Sequence, residues 1–252
     1  MHRLAVAVVF LLAAIGATAQ SPGSDPQAIS LARGSIVALT GRNVVSDVTL
    51  NANVTSSAGS DPDAGTGTFQ AKGTTEARVD LSLVGGNRSD VRYLQNGLPG
   101  GAWQTEVGAS TAYAQHNCWT DAAWFFPALS SLTQTANPNF IFKYVGLEKH
   151  AGAKTQHIQV YRLATLRQLG TMDFYLDASS SLPVAIVFNL HADDNMNTNV
   201  PTEVRFGNYQ SVNGIQVPFH FQNLQNGAPA IDATVTNAVL NTGLLDSLFA
   251  LQ

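Results

Sequence analysis

Cysteine is nearly absent. Cys118 stands alone in 252 residues, so no intramolecular disulfide can form and the fold has to rest on its core. Cys118 lies between Asn117 and Trp119 with no reactive-thiol signature around it, and it reads as a buried free thiol. Charge is also scarce, at 12% of residues with a net of −4. Lys and Arg are scattered, which argues against nucleic acid as a partner. No apolar run after the first fifteen residues is long enough to cross a bilayer, so no stable membrane anchor is expected. Motifs that carry chemistry are missing as well. His116, His150, His157, His191 and His220 are dispersed, with no i, i+4 pair, and His191 with Asp193 and Asp194 reads as surface rather than as a metal site. Gly108-Ala109-Ser110-Thr111-Ala112 lacks the second glycine of a nucleophile elbow. Gly97–Gly101 has no Lys-Ser/Thr pair after it, which excludes a phosphate loop. Asp61-Pro62-Asp63 lacks the glycine and glutamate of a calcium loop. The chain therefore reads as non-enzymatic, with neither cofactor nor metal expected.

What is present begins with a leader. His2 and Arg3 precede an apolar run from Leu4 to Ile15, and Ala17-Thr18-Ala19 supplies small residues at a cleavage site. These three parts in order read as a secretory signal peptide over residues 1–19. No cysteine follows it to take a lipid. Residues 20–252 then form one exported domain, periplasmic or secreted.

The body of the chain is dominated by short alternating stretches. Glu203–Phe206, Ile215–Gln222 and Ile231–Val235 each alternate polar and apolar, and Asn213-Gly214 and Asn226-Gly227 separate them. Period-two alternation puts every second side chain on one face of a strand. Asn-Gly favours the positive φ angles of a tight hairpin. The reading is a three-strand antiparallel meander. Ile215, Val217, Phe219 and Phe221 share its apolar face with Val204, Phe206, Ile231 and Val235, while Glu203, Arg205, Gln216, His220 and Asp232 take a wet face. Pro218 belongs at an edge or bulge. Further strands are expected over Val44–Val54, Thr68–Lys72, Thr75–Val84, Asp90–Gln95, Ile141–Val145, Gln156–Arg162, Gly170–Asp177 and Val184–His191. Asp193–Val200 reads as a polar loop. A helix is expected over Gln27–Leu39, with Asp25 as N-cap, Pro26 at its first position and Gly41 closing it. A final helical turn near Asn241–Phe249 would press Leu245, Leu248 and Phe249 on the sheet.

One segment breaks the β pattern. Asn117–Thr133 is aromatic and helical in spacing, and Pro127 divides it, so two short helices are expected with Pro127 opening the second. Such helices serve equally as ordinary core packing or as the wall of an apolar cavity. Two Trp and two Phe within eight positions are more apolar surface than docking alone requires.

This order of elements resembles the lipoprotein-localisation carrier superfamily (LolA/LolB-like). The resemblance is carried by Asp173-Phe174-Tyr175-Leu176-Asp177 with Leu182-Pro183, by Tyr209 with Val212-Asn213-Gly214-Ile215-Gln216-Val217-Pro218, and by Asn241 with Leu244-Leu245-Asp246 and Phe249. It implies an α+β, mainly β fold: a strongly curved antiparallel sheet, an incomplete barrel, with short helices covering its concave face. It also implies a cavity for acyl chains or another apolar ligand.

The function expected is a carrier that holds a lipid or other apolar small molecule, or the acyl chains of a lipoprotein. Trp119, Trp124, Phe125, Phe126, Leu129, Leu132, Phe219 and Phe221 are the expected lining. One rival is a cell-envelope structural or interaction module of the same fold with a filled core. A second is a secreted hydrolase, which requires at least two of His150, His157, His191 and His220 to converge with carboxylates in a cleft.

Overall fold

The architecture follows from tight reversals. Asn96-Gly97, Asn213-Gly214 and Asn226-Gly227 all have both residues at positive φ, between 50° and 81°, as two-residue hairpin loops require. The computed structural model describes residues 23–57 and 61–251; the signal peptide expected over residues 1–19 lies outside these. A helix α1 (Pro26–Thr40) leads into β1 (Asp47–Ser56), β2 (Asp63–Lys72), β3 (Glu76–Leu83), β4 (Gly86–Gln95), β5 (Leu98–Thr105) and a two-residue β6 (Thr111–Ala112). After the aromatic insertion come β7 (Phe140–His150), β8 (Ala153–Arg162), a single helical turn α2 (Arg167–Gly170), β9 (Met172–Asp177) and β10 (Pro183–Ala192). The meander β11 (Asn195–Val212), β12 (Ile215–Gln225) and β13 (Ala228–Leu240) closes the chain.

The thirteen strands among the described residues lie in one antiparallel sheet, ordered β6-β5-β4-β3-β2-β1-β13-β12-β11-β10-β9-β8-β7, which does not close into a barrel. Every ladder but one joins strands adjacent in sequence; the exception, β1 with β13, seams two wings together. The sheet is rolled. β4 and β10 stand seven steps apart in it, about 34 Å if it were flat at ~4.8 Å per strand. Yet Arg88 and Asp90 of β4 share one cavity with Phe188 and Leu190 of β10. Bulges after Asn51, Tyr144, His191 and Asn223 add local twist to this rolling.

The meander has the expected register. Phe206 pairs with Phe221 and Phe221 with Ala233, so these share the core face. Glu203, Arg205, Gln216, His220 and Asp232 are at least partly exposed on the other. The β12–β13 ladder reaches only to His220, so Pro218 lies where β12 is free on that side, and its missing N–H is tolerated. Gly41 closes α1 in the left-handed region, its N–H reaching the Val37 carbonyl at 2.9 Å.

Several expectations need correction. The insertion forms no α-helices. It runs as 3₁₀ turns at Gln115–Cys118, Pro127–Leu129 and Ser131–Gln134. Pro127 does open the second turn, but the chain is too tightly packed among aromatics to continue an i→i+4 ladder. Asp25 is the N-cap of α1 by position only. Its carboxylate turns outward to accept from the Tyr144 N–H (3.0 Å) and the Lys143 ammonium (3.2 Å), and with Ser24 it covers the β7 edge. Asp193–Val200 is a loop only over its first residues, because β11 starts at Asn195. Strands over 98–105 and 111–112 add to those expected: the first opens on Leu98-Pro99-Gly100-Gly101, whose composition is that of a loop, and the second is only two residues long. In the C-terminal turn Phe249 is buried, but Leu245 faces solvent.

Candidate functional site: an amphipathic cavity between the two wings

The insertion works first as packing. Trp124 and Phe125 press edge-on against Phe69 of β2, with ring centroids 6.2 and 5.4 Å away, and Phe69 meets Phe221 of β12 at 4.9 Å. Edge-to-face contacts of this kind add about 0.5–1.5 kcal/mol each beyond area burial. Phe125, Phe126, Leu129, Leu132 and Phe221 are buried members of the central core. Asp121 is also buried there. One carboxylate oxygen accepts from both the Ser131 N–H (2.7 Å) and the Ser131 hydroxyl (3.0 Å). Burial pushes its pKa up to about 6, against the opposing pull of those bonds and of the Arg162 and Arg92 charges.

Beside this packing, where the wings approach each other, lies a cavity of about 370 Å³. β3, β4, β10 and β13 and the insertion all contribute to it. Its apolar part comes from residues such as Val79, Leu81, Trp124, Phe188, Leu190 and Ile231, and its polar part from Arg88, Asp90, Arg92, Asn117, His191 and Asn223. Of the eight residues expected to line a cavity, the structure brings only Trp124 to this one. Phe125, Phe126, Leu129, Leu132 and Phe221 fill the core, and Trp119 and Phe219 are half-buried away from the wall.

The polar wall was missed, although it had a sequence signal. Arg88, Asp90 and Arg92 recur at i, i+2, i+4 on β4, so they share a face, with Val91 on the other. Arg88 is committed: its Nε and Nη2 donate to the two Asp90 oxygens at 2.9 and 3.1 Å. Tyr113 donates to Asp90 as well, and its burial raises its pKa. Arg92 is different. One Nη2 bond of 3.3 Å to the Thr120 carbonyl ties it to the insertion, and its Nε has no partner among the described residues. Gly101 of β5 lets the Arg92 stem lie flat, since a Cβ there would meet Arg92 Cδ at 2.7 Å and the Val91 carbonyl at 2.8 Å. Asn117 clamps the end of β10 by accepting from the His191 N–H (2.7 Å) and donating to the His191 carbonyl (2.8 Å).

The histidines do gather, but elsewhere. His150 and His157 stack on the two sides of Tyr175, with centroids 3.6 and 4.3 Å away, on the sheet face opposite the core. Both ring nitrogens of His157 are engaged, Nδ1 with Glu148 at 2.5 Å and Nε2 with Asp173 at 2.8 Å. His150 pairs with Glu203 at 3.0 Å. His220 pairs with Asp232 at 2.9 Å. A histidine bonded through both nitrogens has none left for a substrate, and no group of three metal-binding side chains occurs among the described residues. His191 is the one histidine at the cavity.

No family model matches this sequence, and no curated protein sequence matches it. Solved structures do. A domain from Vibrio parahaemolyticus named as an outer membrane lipoprotein-sorting protein superposes with a TM-score of 0.58 at 10% identity, covering 88% of this chain and 96% of its own. A DUF1329 family protein from Desulfovibrio piger gives 0.60 at 10% identity, with 91% and 98% covered. A LolA superfamily protein from Nitrosomonas europaea gives 0.51 at 11% identity, with 89% and 97% covered. Identity this low speaks to fold alone, and the fold of this chain is LolA/LolB-like.

Proposed function

We propose that this protein is an exported, non-enzymatic carrier or binding protein that holds an apolar or amphipathic ligand in the cavity between its wings. The observation that carries the reading is that cavity: about 370 Å³, within the roughly 300–1,000 Å³ of small-molecule sites. Val79, Leu81, Trp124 and Phe188 supply the apolar surface. Each methylene transferred there from water contributes about 0.8 kcal/mol, offset by ordering costs, so release stays reversible. The cargo that suits this volume is a single-chain lipid or one acyl chain of a lipoprotein. The name of the Vibrio relative supports lipid or lipoprotein handling, as analogy only. Removal of residues 1–19 would deliver residues 20–252 as one domain to the periplasm or the medium.

A second reading, a cell-envelope interaction module with a filled core, draws on the burial of Phe125, Phe126, Leu129, Leu132 and Phe221. Native mass spectrometry of the mature protein, followed by organic extraction, separates the two. A stoichiometric lipid supports the carrier. A protein that comes without lipid, and also fails to take up decanoate, methyl decanoate or phospholipid, removes the carrier reading in favour of the module.

A further inference from the structure

His157 of β8 is held by two carboxylates at once. Its Nδ1 lies 2.5 Å from Glu148 of β7 and its Nε2 2.8 Å from Asp173 of β9. A carboxylate only accepts, and a neutral imidazole carries a single N–H. Both bonds together therefore need an added proton. With reference pKa values of about 6.5 for imidazole and about 4 for carboxyls, that proton belongs to the ring. The surroundings favour it there. The titratable and charged groups gathered on this face are Glu148 and His150 from β7, Asp173 and Tyr175 from β9, and Glu203 and Arg205 from β11. Between them β10 presents Ala185 and Val187, the partners of Tyr175 and Asp173. Arg205 is already committed to Glu203 through Nε and Nη2, at 2.7 and 3.1 Å, so Glu148 and Asp173 have only His157 as a cation. Burial pushes His157, 8% exposed, toward its neutral form, but Asp173 and Glu148 outweigh it and the net shift is upward.

We propose that the β7–β8 hairpin is a proton-operated clasp: it is shut while His157 carries both ring protons and ties Glu148 to Asp173, and it loosens on the Glu148 side when one proton leaves. The two arms are unequal. Asp173 also accepts from Gln159 Nε2 at 3.1 Å, and its strand is paired on both sides, so it keeps the remaining ring N–H. Glu148 is half-exposed and stands on β7, the last strand of the sheet. Facing a bare ring nitrogen, its carboxylate is repelled and turns to water. The outer edge of β7 is covered by Ser24 and Asp25 only as far as Tyr144, so nothing else among the described residues holds the strand from outside beyond that point. The tip keeps a second grip. His150 Nε2 reaches Glu203 at 3.0 Å and its ring stacks on Tyr175 at 3.6 Å, contacts that a neutral ring also makes. Opening is therefore confined to the stretch around Glu148. None of these side chains lines the cavity, so the clasp works whatever the cavity holds.

Heteronuclear NMR of the histidine rings and hydrogen exchange of the hairpin, both followed from about pH 5.5 to about pH 9, test this. At the acid end both His157 nitrogens are expected to carry protons, and at the alkaline end only Nε2. Over the same range, protection of the amides over 146–156 is normalised to that of β11–β13 and corrected for base-catalysed exchange. It should fall about tenfold, the equivalent of one charge-assisted hydrogen bond. Glu148→Gln should erase most of that pH dependence and leave the meander unchanged, while Lys149→Gln, next to it but outside the clasp, should retain it. A neutral His157 at the acid end, or hairpin protection in the unaltered protein that is the same across the range, overturns the proposal. Neither readout uses a ligand, so a negative result leaves the carrier reading where it stands.

Discussion

Phe69 is the residue on which the aromatic packing converges, and replacing it with alanine isolates what that packing contributes. Its ring is fully buried on β2 and meets Trp124, Phe125 and Phe221 edge-on at centroid distances of 6.2, 5.4 and 4.9 Å. Truncating a buried Phe to Ala typically costs about 3–5 kcal/mol. Three edge-to-face partners place this site at the upper end. Against a total stability of about 5–15 kcal/mol, a loss near 5 kcal/mol is severe, and for a chain of this size it corresponds to a fall of roughly 10–20 °C in Tm. Phe69→Leu keeps most of the volume and loses the ring geometry, so a cost of about 1.5–4.5 kcal/mol is expected from the three aromatic contacts alone. Urea unfolding followed by far-UV circular dichroism gives both numbers. Tryptophan emission in the folded baseline reports whether Trp124 has left its place. If Phe69→Ala costs under 1 kcal/mol, the insertion is not docked through this ring and the account of the core fails.

Trp124→Phe is expected to remove the ligand-induced change in tryptophan fluorescence, whereas Trp119→Phe preserves it, because only the former lines the cavity; a decanoate titration of both variants checks this. Burial lowers the His157 pKa, but Asp173 and Glu148 outweigh it and the net shift is upward. That contribution is therefore complete below the unfolded value near 6.5 and is lost as pH rises through the folded value, so His157→Gln should flatten the fall in Tm between neutral and mildly alkaline pH. Asp121 has a folded pKa raised to about 6 from 3.8, so it binds a proton longer in the folded state and stability drops as pH climbs between those values. Asp121→Asn, which can keep the Ser131 bonds, should be as stable as the parent or more so at pH 7.5, with a flatter profile below pH 6 in thermal melts. Asp177 accepts from the N–H and hydroxyl groups of Ser179 and Ser180, and these hold its carboxylate at about 2. The turn's contribution is present above about 3.8 and vanishes as pH falls through about 2, so Asp177→Ala should destabilise the protein at pH 7 and make no difference at pH 1.5.

What could be read from the chain was whatever local rules decide. Asn-Gly pairs and period-two alternation specify hairpins within a dozen residues, and β11–β13 were legible for that reason. The Asp177 and Asn241 signatures were legible as patterns, and the structure supplies their physics. Asn241 accepts from the Ser46 N–H at 2.8 Å and donates to the Val44 carbonyl at 2.9 Å, while Asp47 takes the N–H groups of Thr242 and Gly243. The insertion was legible as apolar but not as 3₁₀, because packing on Phe69 and Phe221 overrode its helical spacing. The cavity was hardest to read. Its wall joins β4 to β10 through a rolled sheet, and no spacing along the chain encodes which distant strands will face each other. The Arg88-Asp90-Arg92 face is visible as a period-two polar run, but nothing local to it says that it turns toward a cavity.

The β1–β13 seam has a bearing on how the protein forms. Every other ladder links neighbours in sequence and can zip soon after synthesis, whereas this one joins Val48 to Leu240 across nearly the whole chain. Loop closure on that scale is slow. The two wings are thus expected to assemble as separate meanders, and the seam to close last. Since the cavity draws walls from both wings, it does not exist until that late step. A nascent chain would lack this cavity, and would gain it only when its C-terminal strands are free to pair with β1.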